Sequence, residues 1–165
     1  MLTLEQMMVR LVVALLLGAV VGLERELVGK EAGIRTSMLV ASGSAIFTMI
    51  ALVLPFIVAP SPEYLPDIIA RNGGFLAVIA NIVVGIGFLG AGIIIKTQER
   101  VHGLTTAALV WTTAAIGTLA GLGLTSFATI ATVLIATLLY ILRKAGVDDR
   151  LNPKNTETRS SLPLN

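Results

Sequence analysis

Apolar residues in this chain neither alternate nor mark one helical face. They run on unbroken, in stretches as long as a bilayer's hydrocarbon core is thick. Crossing that core takes roughly 20 residues at about 1.5 Å rise each. Uncharged stretches of that order predict spans near residues 6–23, 36–59, 75–95, 104–123 and 125–142. Arg10 is the one charge inside them, near enough to the end of the first span for its stem to reach the interface. Gly121, Gly123 and Thr125 punctuate the last two spans and predict a hairpin. Pro55, Pro60, Pro62 and Pro66 should end or kink the second span, with one short interfacial helical turn over Asp67 to Arg71. The pattern therefore predicts an all-α polytopic membrane bundle of about five transmembrane helices over residues 1–145. The tail, 146–165, is polar, contains two prolines and is expected to be disordered.

Composition agrees. Charged residues make up 13% and hydrophobic residues 55% of the chain, where a soluble domain carries about 25% charged. Met1 to Gln6 holds no Lys or Arg and has Glu5 where a signal peptide is basic, so the first span is expected to be retained. The absence of cysteine excludes disulfides, thiolate metal ligands and a thiol nucleophile. Orientation follows from the basic residues on an alternating path. Arg25, Lys30, Arg35, Lys96, Arg100, Arg143, Lys144, Arg150, Lys154 and Arg159 fall on one side, and only Arg10 and Arg71 on the other. This predicts an external N-terminus and a cytoplasmic C-terminus.

Lipid gives helices no hydrophobic reason to associate, so small residues that allow close backbone approach mark candidate packing faces. Gly18 and Gly22 do so on the first span, and Gly117 and Gly121 on the fourth. On the third, Gly85 and Gly92 share one face, and Gly87 and Gly90 lie opposite. The third span is the expected hub. Asn81, on the face of Gly85 and Gly92, is its strongest polar group: either an interhelical hydrogen bond or a ligand contact. Thr105, Thr106 and Thr113 on the fourth span, and Thr125, Thr129 and Thr132 on the fifth, either bond their own backbone or line a hydrated cavity. Trp111 is too deep for an interfacial belt and suits a core or interprotomer contact. The densest charge cluster holds Glu24, Arg25, Glu26, Lys30, Glu31 and Arg35. Glu24 follows the expected end of the first helix, where the macrodipole disfavours an anion, and Arg35 is its expected partner. The other reading is a solvated loop with weak ion pairs. His102 on the same side suits a solvated position. There is no zinc-type His spacing, nucleophile elbow or phosphate-binding glycine loop. No catalytic residues, metal ligands or cofactor are expected, nor a nucleic-acid partner.

Three segments, GAVVGLERELVGKEAGIRT at 18–36, VGIGFLGAGIII at 84–95 and VHGLTTAALVWTTAAIG at 101–117, resemble the MgtC/SapB family of bacterial inner-membrane proteins. The resemblance covers about residues 10–142. It implies a five-span inner-membrane protein linked to magnesium limitation, acid stress or intracellular survival. Some members act as regulators that bind other membrane proteins, including the ATP synthase. Similar members usually carry glutamine where this chain has Asn81, and arginine four residues earlier, where it has Ala77. An Arg–Gln site is thus not intact here unless Arg71 substitutes. The longer members have a soluble C-terminal domain, and this chain resembles the short membrane-only type. The expected function is a regulatory or interaction protein that binds itself and other membrane proteins through its glycine faces. The alternative is a small-solute or cation pathway past Glu24, Arg35, Asn81 and the threonines.

Overall fold

In the computed structural model, which describes residues 2–71, 74–96 and 101–145, Thr3 opens the first helix with a capping box. Its hydroxyl accepts from the Gln6 N–H at 3.2 Å, and the Gln6 carboxamide accepts from the Thr3 N–H at 3.1 Å. The helix, α1, runs Leu4–Leu27, four residues beyond the end its hydrophobic run predicts. Helix α2 spans Ile34–Val58 with Pro55 inside it. Pro55 does not end the helix, because its own carbonyl still accepts from the Ala59 N–H at 3.1 Å. The expected short helical turn over Asp67 to Arg71 falls within α3, Leu65–Arg71, and a 3-10 turn, Pro62–Tyr64, leads into it. Helix α4 covers Gly74–Ile93, α5 Leu104–Leu122 and α6 Thr125–Lys144. Between α4 and α5 two short strands, β1 (Ile95–Lys96) and β2 (Val101–His102), pair antiparallel with Ile95 opposite His102. Two-residue strands are too short to leave a period in the sequence.

Five helices are long and apolar enough to cross a membrane: α1, α2, Leu76–Ile93 of α4, α5 and α6. The protein is a multi-pass membrane protein of the all-α class. The α5–α6 turn has the C-terminal geometry that favours glycine: Gly123 has φ +87°, its N–H donates to the Ala120 carbonyl at 3.0 Å, and the Leu124 N–H to that of Leu119 at 2.9 Å.

The hub of the bundle is α2, not the third span. Helix α1 lies antiparallel to it, with Gly18 so close that a Cβ there would stand 2.6 Å from the Ser37 carbonyl oxygen. On the other flank α5 runs parallel to α2, pairing Gly117 and Gly121 with Ala41 and Ala45. Small residues four apart on both helices let the two backbones touch, which replaces the missing hydrophobic drive with dispersion. Helix α6 joins through Ala128 and Ile135, packed with Val21, Leu109 and Ile116. The third span has the least packed surface of the five. It rests on α2 and α5 along one side only.

Arg10 ties α1 to the far end of α5. Its Nη1 donates to the Gly121 carbonyl at 2.7 Å, supplying a cation where the α5 dipole is negative.

Candidate functional site

Helix α1 buries a continuous stripe of Ala14, Gly18, Val21, Gly22 and Arg25. Arg25 extends the packed face instead of opening the loop, and only 6% of it is exposed. Its Nη2 donates to the Thr106 hydroxyl at 3.1 Å, and that hydroxyl donates to Glu31 Oε2 at 3.3 Å. Arg25 Nη1 lies 3.7 Å from Glu24 Oε2. Glu24 Oε2 and Arg25 Nε are buried with no hydrogen-bond partner among the described residues, so this ion pair rests on Coulomb attraction at slightly more than hydrogen-bond length. Thr106 is the third residue of α5 and Glu31 lies in the α1–α2 loop. The network therefore lashes that loop, the end of α1 and the start of α5 together. The bond from its own backbone N–H holds the Glu31 carboxyl below the ordinary carboxylate value, helped by Thr106, Lys30 and Arg25.

The expected Glu24–Arg35 pair does not form. Because α1 continues to Leu27, Glu24 is a helical residue with Arg25 beside it, while Arg35 sits exposed in the first turn of α2 with no ion pair among the described residues. A different carboxylate serves α2. Glu26 Oε2 accepts from the Ile34 N–H at 2.9 Å, capping a helix whose N-cap, Gly33, has no side chain to do so. Lys96 and His102 are exposed on the paired strands. Arg100 and the tail 146–165 lie outside the described residues, as does the Arg71 side chain.

On α5, Thr106, Thr113, Gly117 and Gly121 are all buried. Thr113 donates to the Leu109 carbonyl at 2.7 Å, Thr132 to that of Ala128 at 2.8 Å and Thr129 to that of Thr125 at 2.9 Å. Hydroxyl protons committed one turn back are not presented to a pathway. Thr105 is exposed beside the network, and Trp111 is half exposed on the outer face of α5, outside the core.

The α4 side chains divide cleanly. Ile82, Ile86 and Ile93 pack against Val40, Val110 and Ala114, and a Cβ at Gly90 would meet that of Ala107 at 3.6 Å. At Gly85, Gly87 and Gly92 a Cβ would meet nothing within 4 Å among the described residues. Three of the four expected packing glycines of this span thus touch no neighbour among the described residues. Asn81 is exposed, with no hydrogen bond among the described residues, at the edge of an apolar groove of about 360 Å³ lined by Leu39, Gly43, Ser44 and Phe47 of α2. No group of three His, Asp or Glu side chains suited to a metal converges among the described residues.

The chain has relatives with this membrane segment. Protein MgtC of Brucella abortus (strain 2308) is 42% identical over 130 residues, 79% of this chain and 48% of that protein. Protein MgtC of Salmonella typhimurium (strain 14028s / SGSC 2262) is 41% identical over 136 residues, 82% of this chain and 52% of that protein. The chain spans about half the length of these curated relatives. No solved structure matches it. The family model for MgtC matches residues 11–147, a stretch that runs from just after Arg10 through α6, and this chain belongs to the MgtC family.

Proposed function

We propose that the chain is a regulatory interaction protein of the bacterial inner membrane, with its N-terminus outside, its C-terminus cytoplasmic and no enzymatic activity of its own. Its role, as the MgtC/SapB resemblance implies, lies in adaptation to magnesium limitation or acid stress. The observation that carries this reading is the uncovered surface of α4: a Cβ at Gly85, Gly87 or Gly92 meets nothing within 4 Å among the described residues, and Asn81 is exposed with no hydrogen bond among them. Glycine in a lipid-facing position leaves backbone bare, which suits a partner helix better than acyl chains. The asymmetry of basic residues supports the orientation. A solute pathway draws less support, because Thr113, Thr129 and Thr132 spend their protons on their own helices.

The test is Gly92→Leu in the native membrane, read by crosslinking and co-purification. Partner capture should be lost while the variant still inserts and purifies at wild-type yield. Unchanged capture, or substrate flux in proteoliposomes carrying the wild-type protein, sinks the proposal.

A further inference from the structure

Glu5 and Arg10 of α1 line a cleft of about 560 Å³ together with Gly123 and Thr125 of the α5–α6 turn. The start of α1, the end of α5 and the start of α6 meet there, at the level where spanning helices stop and phospholipid headgroups begin. The Arg10 guanidinium lies against the turn, so that a Cβ at Gly123 would stand 2.7 Å from its Nη2. Its Nη1 is engaged by the Gly121 carbonyl, while Nη2 and Nε donate to nothing among the described residues. Leu124 gives α6 no side-chain cap. The first bond of that helix runs from the Ala128 N–H to the Leu124 carbonyl, which leaves the N–H groups of Thr125, Ser126 and Phe127 open. Glu5 shares the cleft with Arg10, yet no ion pair joins the two among the described residues.

Opposite charges that share a cleft without pairing, each with hydrogen-bonding capacity unused, suit a ligand that carries the same two charges. We propose that the cleft holds the headgroup of a zwitterionic aminophospholipid, of the phosphatidylethanolamine class. Its phosphodiester accepts from the open guanidinium N–H groups of Arg10 and from the start of α6. Its ammonium donates to the Glu5 carboxylate. Val9, one turn deeper than Glu5 and exposed on the same cleft, gives the acyl chains an apolar wall. The charges set the selectivity. Glu5 and Arg10 sum to zero, as this lipid does. An anionic glycerol headgroup leaves Glu5 uncompensated, and a choline headgroup has no N–H to give it. Free phosphate would use the same donors, but it brings neither an ammonium for Glu5 nor chains for Val9. The inference is independent of α4 and of the interaction reading.

The test is native mass spectrometry of the full chain, purified in detergent micelles doped with equimolar phosphatidylethanolamine, phosphatidylglycerol and phosphatidylcholine. Phosphatidylethanolamine should be retained over each of the others by about tenfold, the worth of one hydrogen bond to a charged group. Glu5 is exposed and makes no bond among the described residues, so its variants leave the fold intact. Glu5→Gln should erase the preference while total phospholipid retention holds, and Glu5→Lys should turn it towards phosphatidylglycerol. Arg10→Ala should lower retention of all three lipids together. That variant also releases the Gly121 carbonyl, so the Glu5 variants carry the decision. Excess inorganic phosphate should displace nothing. Equal retention of the three lipids by the wild type, an unchanged preference in Glu5→Gln, or displacement by inorganic phosphate overturns the proposal.

Discussion

Helices α4 and α5 follow one another in the chain, have 20 and 19 residues and are both rich in glycine. In α5 the glycines are spent inside the molecule, where a Cβ at Gly117 would run into the backbone of Ala41 and one at Gly121 would stand 2.7 Å from the Ala45 carbonyl. In α4 a Cβ at Gly85, Gly87 or Gly92 would meet nothing within 4 Å among the described residues. Small residues in a membrane helix mark where a backbone must be approached, but the spacing does not say by what. Only the partner's surface does, and for α5 that partner is α2.

The comparison breaks first at Gly117. Gly117→Leu should abolish recovery of folded monomer, because its side chain meets backbone that has no rotamer to turn away; the effect should exceed the ~1–3 kcal/mol of an ordinary overpacked site. A wild-type yield and melting profile in detergent would show that α5 is no more committed than α4. Arg25→Ala should come next, costing about 3 kcal/mol by stranding the buried Oε2 of Glu24 and unlacing Thr106 from the loop. In thermal unfolding the Glu24→Ala, Arg25→Ala double variant should lose less than the sum of the single ones, and additive losses would dissolve the pair. Gly87→Ala should leave the monomer unchanged or stabilise it by up to about 1 kcal/mol through helix propensity. Destabilisation there would mean that α4 has a hidden neighbour.

The smallest effect is pH-dependent. Glu31 has a lowered folded pKa, so its contribution is complete above the unfolded carboxylate value and is lost as pH falls through the folded one. Stability of the wild type relative to Glu31→Gln, followed from pH 7 downward, should hold constant and then converge as the pH falls below the ordinary carboxylate value. A difference that grew with acid would reverse the assignment.

The spans were legible because length against bilayer thickness needs no tertiary knowledge. Even the short helical turn over Asp67 to Arg71 was visible. The hub was misplaced because glycine density stood in for contact, and α4 has density without contact. The charge network was only half legible. Glu24 and Arg25 are recognisable as a cluster, but the apolar run ends near residue 23, which places both in a loop. The signal that would have corrected this was present: Arg25 lies seven residues after Gly18, four after Val21 and three after Gly22, so a helix continued by one turn carries it onto the packed face. Thr106 could not be named as its partner from sequence, since that contact spans 81 residues. Nor could Glu26 as the cap of α2, because a cap borrowed from another helix has no local signature.

Arg10 and Arg25 sit at opposite ends of α1, and both find their acceptors on α5. The distances along the chain are 111 and 81 residues. At a synthesis rate of about 5–20 residues per second the later acceptor follows on the order of 5–20 s behind. During that interval neither guanidinium has its α5 acceptor. The bundle is consequently closed in an order its topology does not suggest: the first helix to be made is among the last to be finished, and the fourth span decides when.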